Sequence, residues 1–488
     1  MRKKKKRLFL SSLASVSLTS SAPTPHCFLF HHLGVFRRRP SLLGKMQLLQ
    51  ILAFLAALLS SLQQCRAAEA VATCAGIVPM RWRREVVSIT EFGAVGDGKT
   101  LNTWSFHKAI YRIQHLRKRG GTLLYIPPGV WLTGSFDLTS HMTLYLARGA
   151  VIKAAQDIWN WPLVDPLPSY GRGRELPGSR YRSFILGNGI RDVIITGENG
   201  TIDGQGDVWW NEWRQRTLLH TRPNLLELMN SRDVLVSNVV FLNSPFWNVH
   251  PVYCSNVVIK HVTVLAPSDS PNTDGIDPDS SSNVCIEDSF VATGDDLVAV
   301  KSGWDEYGIA YGRPSSGITV RRLTGSSPFS GIAIGSETSG GVENVLVENI
   351  NLYDVGIGIH IKTNVGRGGY IRNITISDVN MNNVRKAIRI AGDVGDHPDE
   401  NFDPNAVPTV DGVTIKNVWG EEVEQPGSIE GIKNSPFTRV CLSNVKLWGV
   451  GASPWKCTDV TGAALGVNPG PCPQLTSSFA MSYCSNDF

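Results

Sequence analysis

Aspartates occur in two groups near the middle of the chain. The first group lies in the run NTDGIDPD and contains Asp274, Asp277 and Asp279. The second follows a glycine directly and consists of Asp295 and Asp296. A single aspartate in a segment rich in asparagine and glycine is usually a turn former, so we interpret Asp279 in this way and leave Asp277 open. Two adjacent carboxylates between apolar runs repel each other, and this pair therefore indicates a functional site.

Clustered carboxylates of this kind could hydrolyse a glycosidic bond by acid/base catalysis. The reaction needs one protonated carboxyl to donate to the leaving oxygen and one ionised carboxylate to activate water. Crowding of like charges raises the pKa of one carboxyl, which supplies the acid. A cation nearby can hold a carboxylate of the substrate. The side chains that we expect to bind such a substrate are Asn272, His360, Lys362 and Arg367.

The elements that must position these groups form an internal repeat. One short phrase recurs, in which a polar turn precedes a strand of alternating apolar residues and an Asn, Asp or Arg follows. The intervals are roughly 20 to 40 residues, which is the range of solenoid repeats. A single strand cannot bury its apolar face, but stacked copies can. The phrase begins at residues 190, 231, 254, 281, 315, 342, 371, 410 and 437.

The repeat predicts an all-β fold, a right-handed parallel β-helix, in which recurring asparagines form ladders along the turns. An antiparallel sandwich is the alternative, but the regular repeats argue against it. An amphipathic stretch from Asn102 to Lys118 is expected to form a helical cap over the first coil. Residues 159–183 predict a long loop. The tryptophans of the run WWNEW could stack on sugars or pack in the core; they are Trp209, Trp210 and Trp213.

The basic net charge of the 488-residue chain belongs to its amino-terminal end. Residues 1–68 hold eleven of the 47 Lys and Arg residues and no acid, which leaves 36 basic against 42 acidic residues in the remainder. Nucleic-acid binding would need a basic patch within the folded domain, so no nucleic-acid partner is expected. Residues 1–45 are interpreted as a basic extension, 46–70 as a signal peptide and 71–488 as the catalytic domain.

This organisation predicts a secreted, monomeric enzyme of the cell wall, without stable membrane insertion once the signal is cleaved. Plastid import and a retained membrane anchor are the alternatives for the leader. Clustered cysteines at the carboxyl-terminal end predict one or two disulfides, whereas Cys254 and Cys285, in apolar strand-like runs, are expected to be buried thiols. Because the chain has no C-x-x-C pair and no evident calcium motif, no metal and no cofactor are predicted. The clustered cysteines are Cys441, Cys457, Cys472 and Cys484.

The aspartate motifs resemble those of glycoside hydrolase family 28, the polygalacturonases. The run NTDGID resembles the first aspartate motif of the family, GDD the second and IKT the end of its Arg-Ile-Lys motif. The resemblance implies a pectin-lyase-like solenoid that hydrolyses α-1,4-linked polygalacturonate with inversion and without a metal. It implies that Asp295 is the general acid, that Asp274 and Asp296 activate water and that Lys362 binds a substrate carboxylate. Acid and base are then expected about 6.5–9.5 Å apart.

Two positions depart from this family pattern. Ser330 stands in place of the histidine of a Gly-His-Gly motif, and His360 stands in place of the arginine of Arg-Ile-Lys. His360 could still bind a carboxylate if it is protonated in an acidic wall. The alternatives are a pectin-binding protein without turnover, a rhamnogalacturonan hydrolase and a calcium-dependent lyase. Endo and exo action both stay open, although the loop at 159–183 could close one end of the cleft.

Overall fold

The computed structural model describes residues 82–116, 119–451, 453–475 and 484. The predicted extension at 1–45 and the predicted signal peptide at 46–70 lie outside these residues. The described residues belong to one compact unit. Within them, no helix combines the length and the apolar character needed to cross a membrane.

Strands dominate the fold, with few helices. Three α-helices lie wholly within the described residues: α1 (Thr103–Leu116), α2 (Asp207–Gln215) and α3 (Asp305–Tyr311). The strands of the first half are β1 (Glu85–Ser88), β2 (Thr122–Ile126), β3 (Gly129–Thr133), β4 (Phe136–Asp137), β5 (Met142–Leu146), β6 (Ala150–Ala154), β7 (Leu163–Val164), β8 (Arg180–Tyr181), β9 (Ile185–Asn188), β10 (Arg191–Gly197), β11 (Gly200–Asp203), β12 (Leu226–Met229) and β13 (Arg232–Ser237). Those of the second half are β14 (Val239–Leu242), β15 (Val249–Val252), β16 (Ser255–Lys260), β17 (Thr263–Leu265), β18 (Ser282–Ala292), β19 (Val298–Val300), β20 (Ser315–Ile334), β21 (Val342–Lys362), β22 (Tyr370–Ala391), β23 (Thr409–Glu430), β24 (Phe437–Leu447), β25 (Lys456–Thr458) and β26 (Val460–Leu465).

The strands stack in parallel, coil upon coil, which confirms the predicted parallel β-helix. One stack runs through β2, β5, β10, β13, β16 and β18, and a second through β3, β6, β11, β14 and β17. A third, which we call the front stack, begins with β4, β9, β12 and β15 and continues through the segment 276–279 to β19. From β20 to β23 the strands are long enough to cover more than one face, and their ends extend the front stack.

Residues with positive φ turn the chain at equivalent places in successive coils. Asp233, Asn256 and Asn283 have φ between 54° and 57° and occupy the third position of the repeated phrase. This left-handed region costs little for asparagine and aspartate and much for β-branched residues. Asn256 Nδ2 donates to Asp233 Oδ1 at 2.9 Å, and Asn283 Nδ2 donates to Asn256 Oδ1 at 2.8 Å. The predicted asparagine ladder is therefore confirmed.

The alternating apolar residues of the phrase form ladders inside the solenoid. Val234, Val257, Val284, Ile318 and Val345 lie directly above one another and are almost completely buried. Fully burying a side chain of this size stabilises the fold by about 1.5–3 kcal/mol. Helix α1 buries its own apolar residues against the amino-terminal end of the same core, which confirms the predicted cap; these are Phe106, Ala109, Ile110 and Ile113.

Disulfides fasten the carboxyl-terminal coils. Cys441 bonds to Cys484 and Cys457 bonds to Cys472, which confirms the predicted clustering. Cys254 is a buried free thiol, also as predicted. The prediction for Cys285 was wrong, because this cysteine is disulfide-bonded. A strand position in an apolar run suits a thiol and a disulfide equally, so the run alone could not distinguish them.

Candidate active site

The two aspartate groups meet on the front stack because they occupy adjacent coils. Asp274 lies just before the segment 276–279, and Asp295 and Asp296 lie just before β19. The backbone N–H of Gly275 donates to the carbonyl of Asp296 at 2.9 Å, which holds the two coils in register. Leu297 N–H donates to the carbonyl of Ser330 on the following coil at 2.9 Å. Parallel stacking thus places side chains that are far apart in sequence about 4.8 Å apart.

The three carboxylates converge. One oxygen each of Asp274, Asp295 and Asp296 lies within 4.8 Å of the other two. The nearest oxygens are therefore closer than the expected 6.5–9.5 Å, because Asp295 and Asp296 are adjacent on one coil and Asp274 lies on the neighbouring coil. Within the described part of the chain this is the one group of acids and histidines close enough to hold a cation, and lysine side chains already neutralise it from two sides.

Asp296 is the carboxylate that is held ionised. Burial opposes its ionisation, but the ammonium of Lys362 contacts Oδ2 directly, and Ser330 N–H donates to Oδ1 at 3.0 Å. Together with Lys301 these contacts lower the pKa of Asp296 below its ordinary value. A buried carboxylate that remains ionised can accept a proton from water.

Asp295 has the opposite electrostatic environment. Burial raises its pKa well above the ordinary value, and the charges of Asp274 and Asp296 raise it further. Asn272 Nδ2 donates to its Oδ2 at 3.4 Å, and the backbone N–H of Asp296 donates to Oδ1 at 2.8 Å. Neighbouring carboxyls with pKa values pushed apart are the usual sign of an acid and a base, so this side chain is suited to donate a proton.

Asp274 lies against a lysine that the sequence reasoning missed. Lys301 Nζ is 3.6 Å from Asp274 Oδ2, 3.8 Å from Asp277 Oδ1 and 3.2 Å from Glu337 Oε2. Burial raises the pKa of Asp274, and Lys301 only partly offsets this effect. Lys301 occupies an outward position in the alternation after β19. That period-2 position was the available signal, because it places the lysine on the same face as the aspartates.

The two departures from the family pattern contact each other. Ser330 Oγ lies 3.0 Å from His360 Nδ1. The Nε2 atom of His360 is buried and has no hydrogen-bond partner among the described residues. Burial and the charge of Lys362 lower the pKa of His360 to about 3. A protonated His360 in an acidic wall is therefore contradicted; the ring is neutral and can exchange a hydrogen bond with a hydroxyl group.

Arg367 does not belong to the cleft. Its side chain has no exposed surface, and its guanidinium pairs with Asp305 and donates to the carbonyls of Ser336 at 2.8 Å and Asp396 at 2.6 Å. The predicted substrate contact is inconsistent with this burial, and Arg367 instead holds together the loops behind the cleft. The sequence could not indicate this, because Asp305 lies far from Arg367 along the chain.

The remaining candidates line an open cleft of about 540 Å³. Asn272 lies between the catalytic group and Arg222, whose Nη2 donates to its Oδ1 at 2.8 Å. Trp213 is partly exposed at the edge of the cleft, whereas Trp209 and Trp210 are buried in the core. A larger depression of about 710 Å³ lies elsewhere, and none of the described residues that line it is acidic, so it offers no comparable chemistry.

Comparisons with known proteins agree with this geometry. The family model described as glycosyl hydrolases family 28 matches residues 175–468. The chain belongs to glycosyl hydrolase family 28. A probable polygalacturonase of Vitis vinifera is 50% identical over 397 residues, which cover 80% of this chain and 81% of the relative. Membership of family 28 makes the protein a glycoside hydrolase that acts on O-glycosyl bonds.

Solved structures of polygalacturonases share the fold. An exopolygalacturonase from Thermotoga maritima superposes with a TM-score of 0.67 at 29% identity and covers 80% of this chain and 93% of its own. A polygalacturonase from Erwinia carotovora subsp. carotovora superposes with a TM-score of 0.63 at 25% identity, covering 79% of this chain and 98% of its own. The family 28 match begins at Glu175, in the loop between β7 and β8.

Proposed function

We propose that the protein hydrolyses the α-1,4-galacturonosyl bonds of pectic polygalacturonate. The observation that carries the proposal is the contrast within one carboxylate cluster: the pKa of Asp295 is raised well above its ordinary value and the pKa of Asp296 is lowered. The relatives named as polygalacturonases support the substrate class.

The reaction follows from the protonation states. Asp295 donates its proton to the glycosidic oxygen as the bond from that oxygen to the anomeric carbon breaks. Asp296, with Asp274 beside it, orients a water and takes one of its protons as the water oxygen bonds to the anomeric carbon. The proton lost by one carboxyl is gained by the other, and exchange with solvent restores both. We propose inversion at the anomeric carbon, as the family resemblance implies.

Cations on one side of the cleft suit a polyanionic substrate. Lys362 is 15% exposed and lines the cleft beside the catalytic group, and Arg385 and Arg389 on the next coil line it further along. Arginine and lysine bind carboxylates by charge-assisted hydrogen bonds. Neutral His360 lies among these cations and is suited to a sugar hydroxyl, since its unpartnered Nε2 can donate or accept according to the tautomer.

We also propose that the enzyme works outside the cell. The disulfides that link the carboxyl-terminal coils favour an oxidising compartment, and the apolar segment 46–70 is suited to a signal peptide. Residues 71–488 would then form the mature catalytic domain, which is proposed to be monomeric. Mass spectrometry of protein purified from the medium of a secreting host tests this, because the proposal requires a mature amino terminus near residue 70.

The activity is tested with full-length protein expressed in a secreting eukaryotic host. Reducing ends released from polygalacturonate are measured across acidic to neutral pH, with rhamnogalacturonan as the alternative substrate. Asp295→Asn is expected to abolish turnover, while calorimetry still detects oligogalacturonide binding. Asp269→Asn is the matched control, because Asp269 is 80% exposed and pairs with Arg214 outside the catalytic group. A folded wild-type enzyme that binds oligogalacturonides but leaves them intact would refute the proposal.

A further inference from the structure

The outer face of the front stack is covered on one side of the catalytic group. Glu227, His250 and Asp279 project from this face on consecutive coils, yet all three are completely buried. The segment that covers them, residues 165–183, is called the wall segment here. Polar side chains buried in this way need partners, and the wall segment supplies them.

The wall segment is bonded to this face throughout its length. Tyr170 Oη donates to Asp279 Oδ2 at 2.6 Å, and Arg180 Nη1 donates to both oxygens of Glu227 at 2.8 and 3.0 Å. His250 bridges the two acids, with ring nitrogens 3.3 Å from Glu227 and 3.2 Å from Asp279. Breaking one partner of a buried charged network is costly, so this cover is a fixed part of the fold. Among the described residues, a cavity of about 30 Å³, too small for a sugar residue, lies between the wall segment and Trp247.

The tip of the wall segment is anchored next to the catalytic group. Glu175 pairs with Arg222, whose guanidinium is completely buried and whose Nη2 lies 2.6 Å from Glu175 Oε1. Arg222 also donates to Asn272, which in turn donates to Asp295. Three successive contacts, from Glu175 through Arg222 and Asn272, thus connect the tip of the wall segment to Asp295.

A second loop meets the wall segment from the other half of the solenoid. Residues 393–408, called the facing loop, contribute Asp396 and Asp399. Arg172 Nη1 lies 3.2 Å from Asp399, and Arg174 lies 3.5 Å from Asp396 while its guanidinium stacks on Trp304 at 4.7 Å. These contacts join segments that are more than 200 residues apart and extend the wall across the cleft.

The opposite side of the catalytic group is open. His250, His360 and Arg389 occupy equivalent positions on different coils of the front stack, with their side chains on its outer face. Arg389 lines the cleft, and 29% of its side chain is exposed. Lys456 follows two coils later and is exposed. An acidic polymer can therefore extend in this direction along a row of cations, but not in the other.

The wall segment is in close contact with the residues that surround the catalytic carboxylates. Arg174 Nη2 is 2.6 Å from Glu337, Glu337 is 3.2 Å from Lys301, and Lys301 is 3.6 Å from Asp274. Three ion pairs in series thus connect the wall to the catalytic group. We infer that the wall segment makes the cleft blind at one end, so that the enzyme accepts a chain terminus and releases one short product of fixed length.

This inference rests on the proposed function. A time course of product formation distinguishes failure of the inference from failure of the proposed function. Full-length enzyme is incubated with long polygalacturonate, and products are resolved by anion-exchange chromatography while viscosity is recorded. The blind cleft predicts one short oligomer from the first time point and a slow loss of viscosity. A ladder of intermediate lengths at early times would overturn the inference and leave the proposed function intact, whereas absence of any product would refute the proposed function itself.

Variants connect the product pattern to the wall. Glu175→Ala removes the anchor on Arg222, and Arg172→Ala removes the contact with Asp399, so both are expected to raise the fraction of longer products severalfold. Glu343→Ala is the matched control, because it removes an ion pair with Arg372 on a different face. Thermal unfolding establishes that each variant is folded. A folded Glu175→Ala and a folded Arg172→Ala that both release only the short product would overturn the inference.

Discussion

Replacement of Lys362 by glutamine tests the electrostatic basis of the mechanism most directly. The ammonium of Lys362 contacts Asp296, and both groups are mostly buried, with 15% and 2% of their side chains exposed. An opposite charge at this range lowers the pKa of a carboxyl by about 1–3 units. Without the lysine, the pKa of Asp296 should rise, because burial and the neighbouring acids raise it and the positive charge of Lys362 no longer offsets their effect.

The expected result is a displaced acid limb in the pH profile. The base must be ionised, so kcat/KM of the wild-type enzyme falls as the pH decreases through the pKa of Asp296. In Lys362→Gln this limb should move to higher pH by about 1–3 units. Below the new pKa the rate falls roughly tenfold for each pH unit. The alkaline limb, which reports loss of the proton from Asp295, should move much less.

The assay is initial-rate release of reducing ends from polygalacturonate across the pH range in which the proteins stay folded. Lys362→Arg retains the charge and should keep most of the wild-type limb. Lys433→Gln is the control for loss of a lysine, because Lys433 is exposed in a turn after β23. Removing one partner of a buried ion pair can cost about 3–5 kcal/mol, so folding of each variant is checked by thermal unfolding. An acid limb that stays in place in folded Lys362→Gln, with only KM increased, would show that Lys362 acts on the substrate alone.

Three further predictions concern stability and stereochemistry. Asp277 is completely buried and its pKa is raised well above the ordinary value; the native state therefore holds its proton more tightly, and stability falls as the pH rises above the unfolded pKa. In denaturant titrations the stability of Asp277→Asn relative to wild type should increase as the pH rises above about 4, the ordinary pKa of an aspartate. A stability difference that does not change with pH would contradict the raised pKa of Asp277. Cys472→Ser removes the disulfide that closes a loop of 15 residues and should lower the free energy of unfolding by about 3 kcal/mol. Cys254→Ser, which removes a free thiol, is the control, and an equal loss of melting temperature in both variants would contradict a stabilising role of the disulfide. Proton NMR at early times should show the β-anomer as the first reducing end, and a first α-anomer would exclude inversion.

The repeat made the fold predictable. Asp233, Asn256 and Asn283 mark the left-handed corners, and the valines that follow them mark the inward face, so the parallel stack could be read from spacing and residue type. The proximity of the aspartate motifs could be predicted for the same reason, because residues at equivalent positions of successive coils lie on the same face. The pairing of Cys285 could not be predicted, since an apolar strand position is compatible with a thiol or a disulfide.

The strand alternation indicates that Lys301 faces outward, but local sequence could not show which side chains it would contact. Lys301 and Glu337 are separated along the chain and become functional neighbours only when their coils stack, and Arg174 reaches them from a loop that no repeat includes. Arg367 was assigned to the substrate because it is a cation near Lys362 in sequence. Its orientation was decided by Asp305, a partner that spacing could not reveal.

The sequence by itself determined the solenoid, its cap, the coil on which each aspartate lies and the chemistry that those carboxylates can perform. These features depend on local preferences and on a period that repeats. Tertiary structure decided which carboxyl is held ionised and which is held protonated, that His360 is neutral, and that one end of the cleft is covered. Each of these depends on burial and on charges from distant segments, and Coulomb interactions and desolvation act through space rather than along the chain.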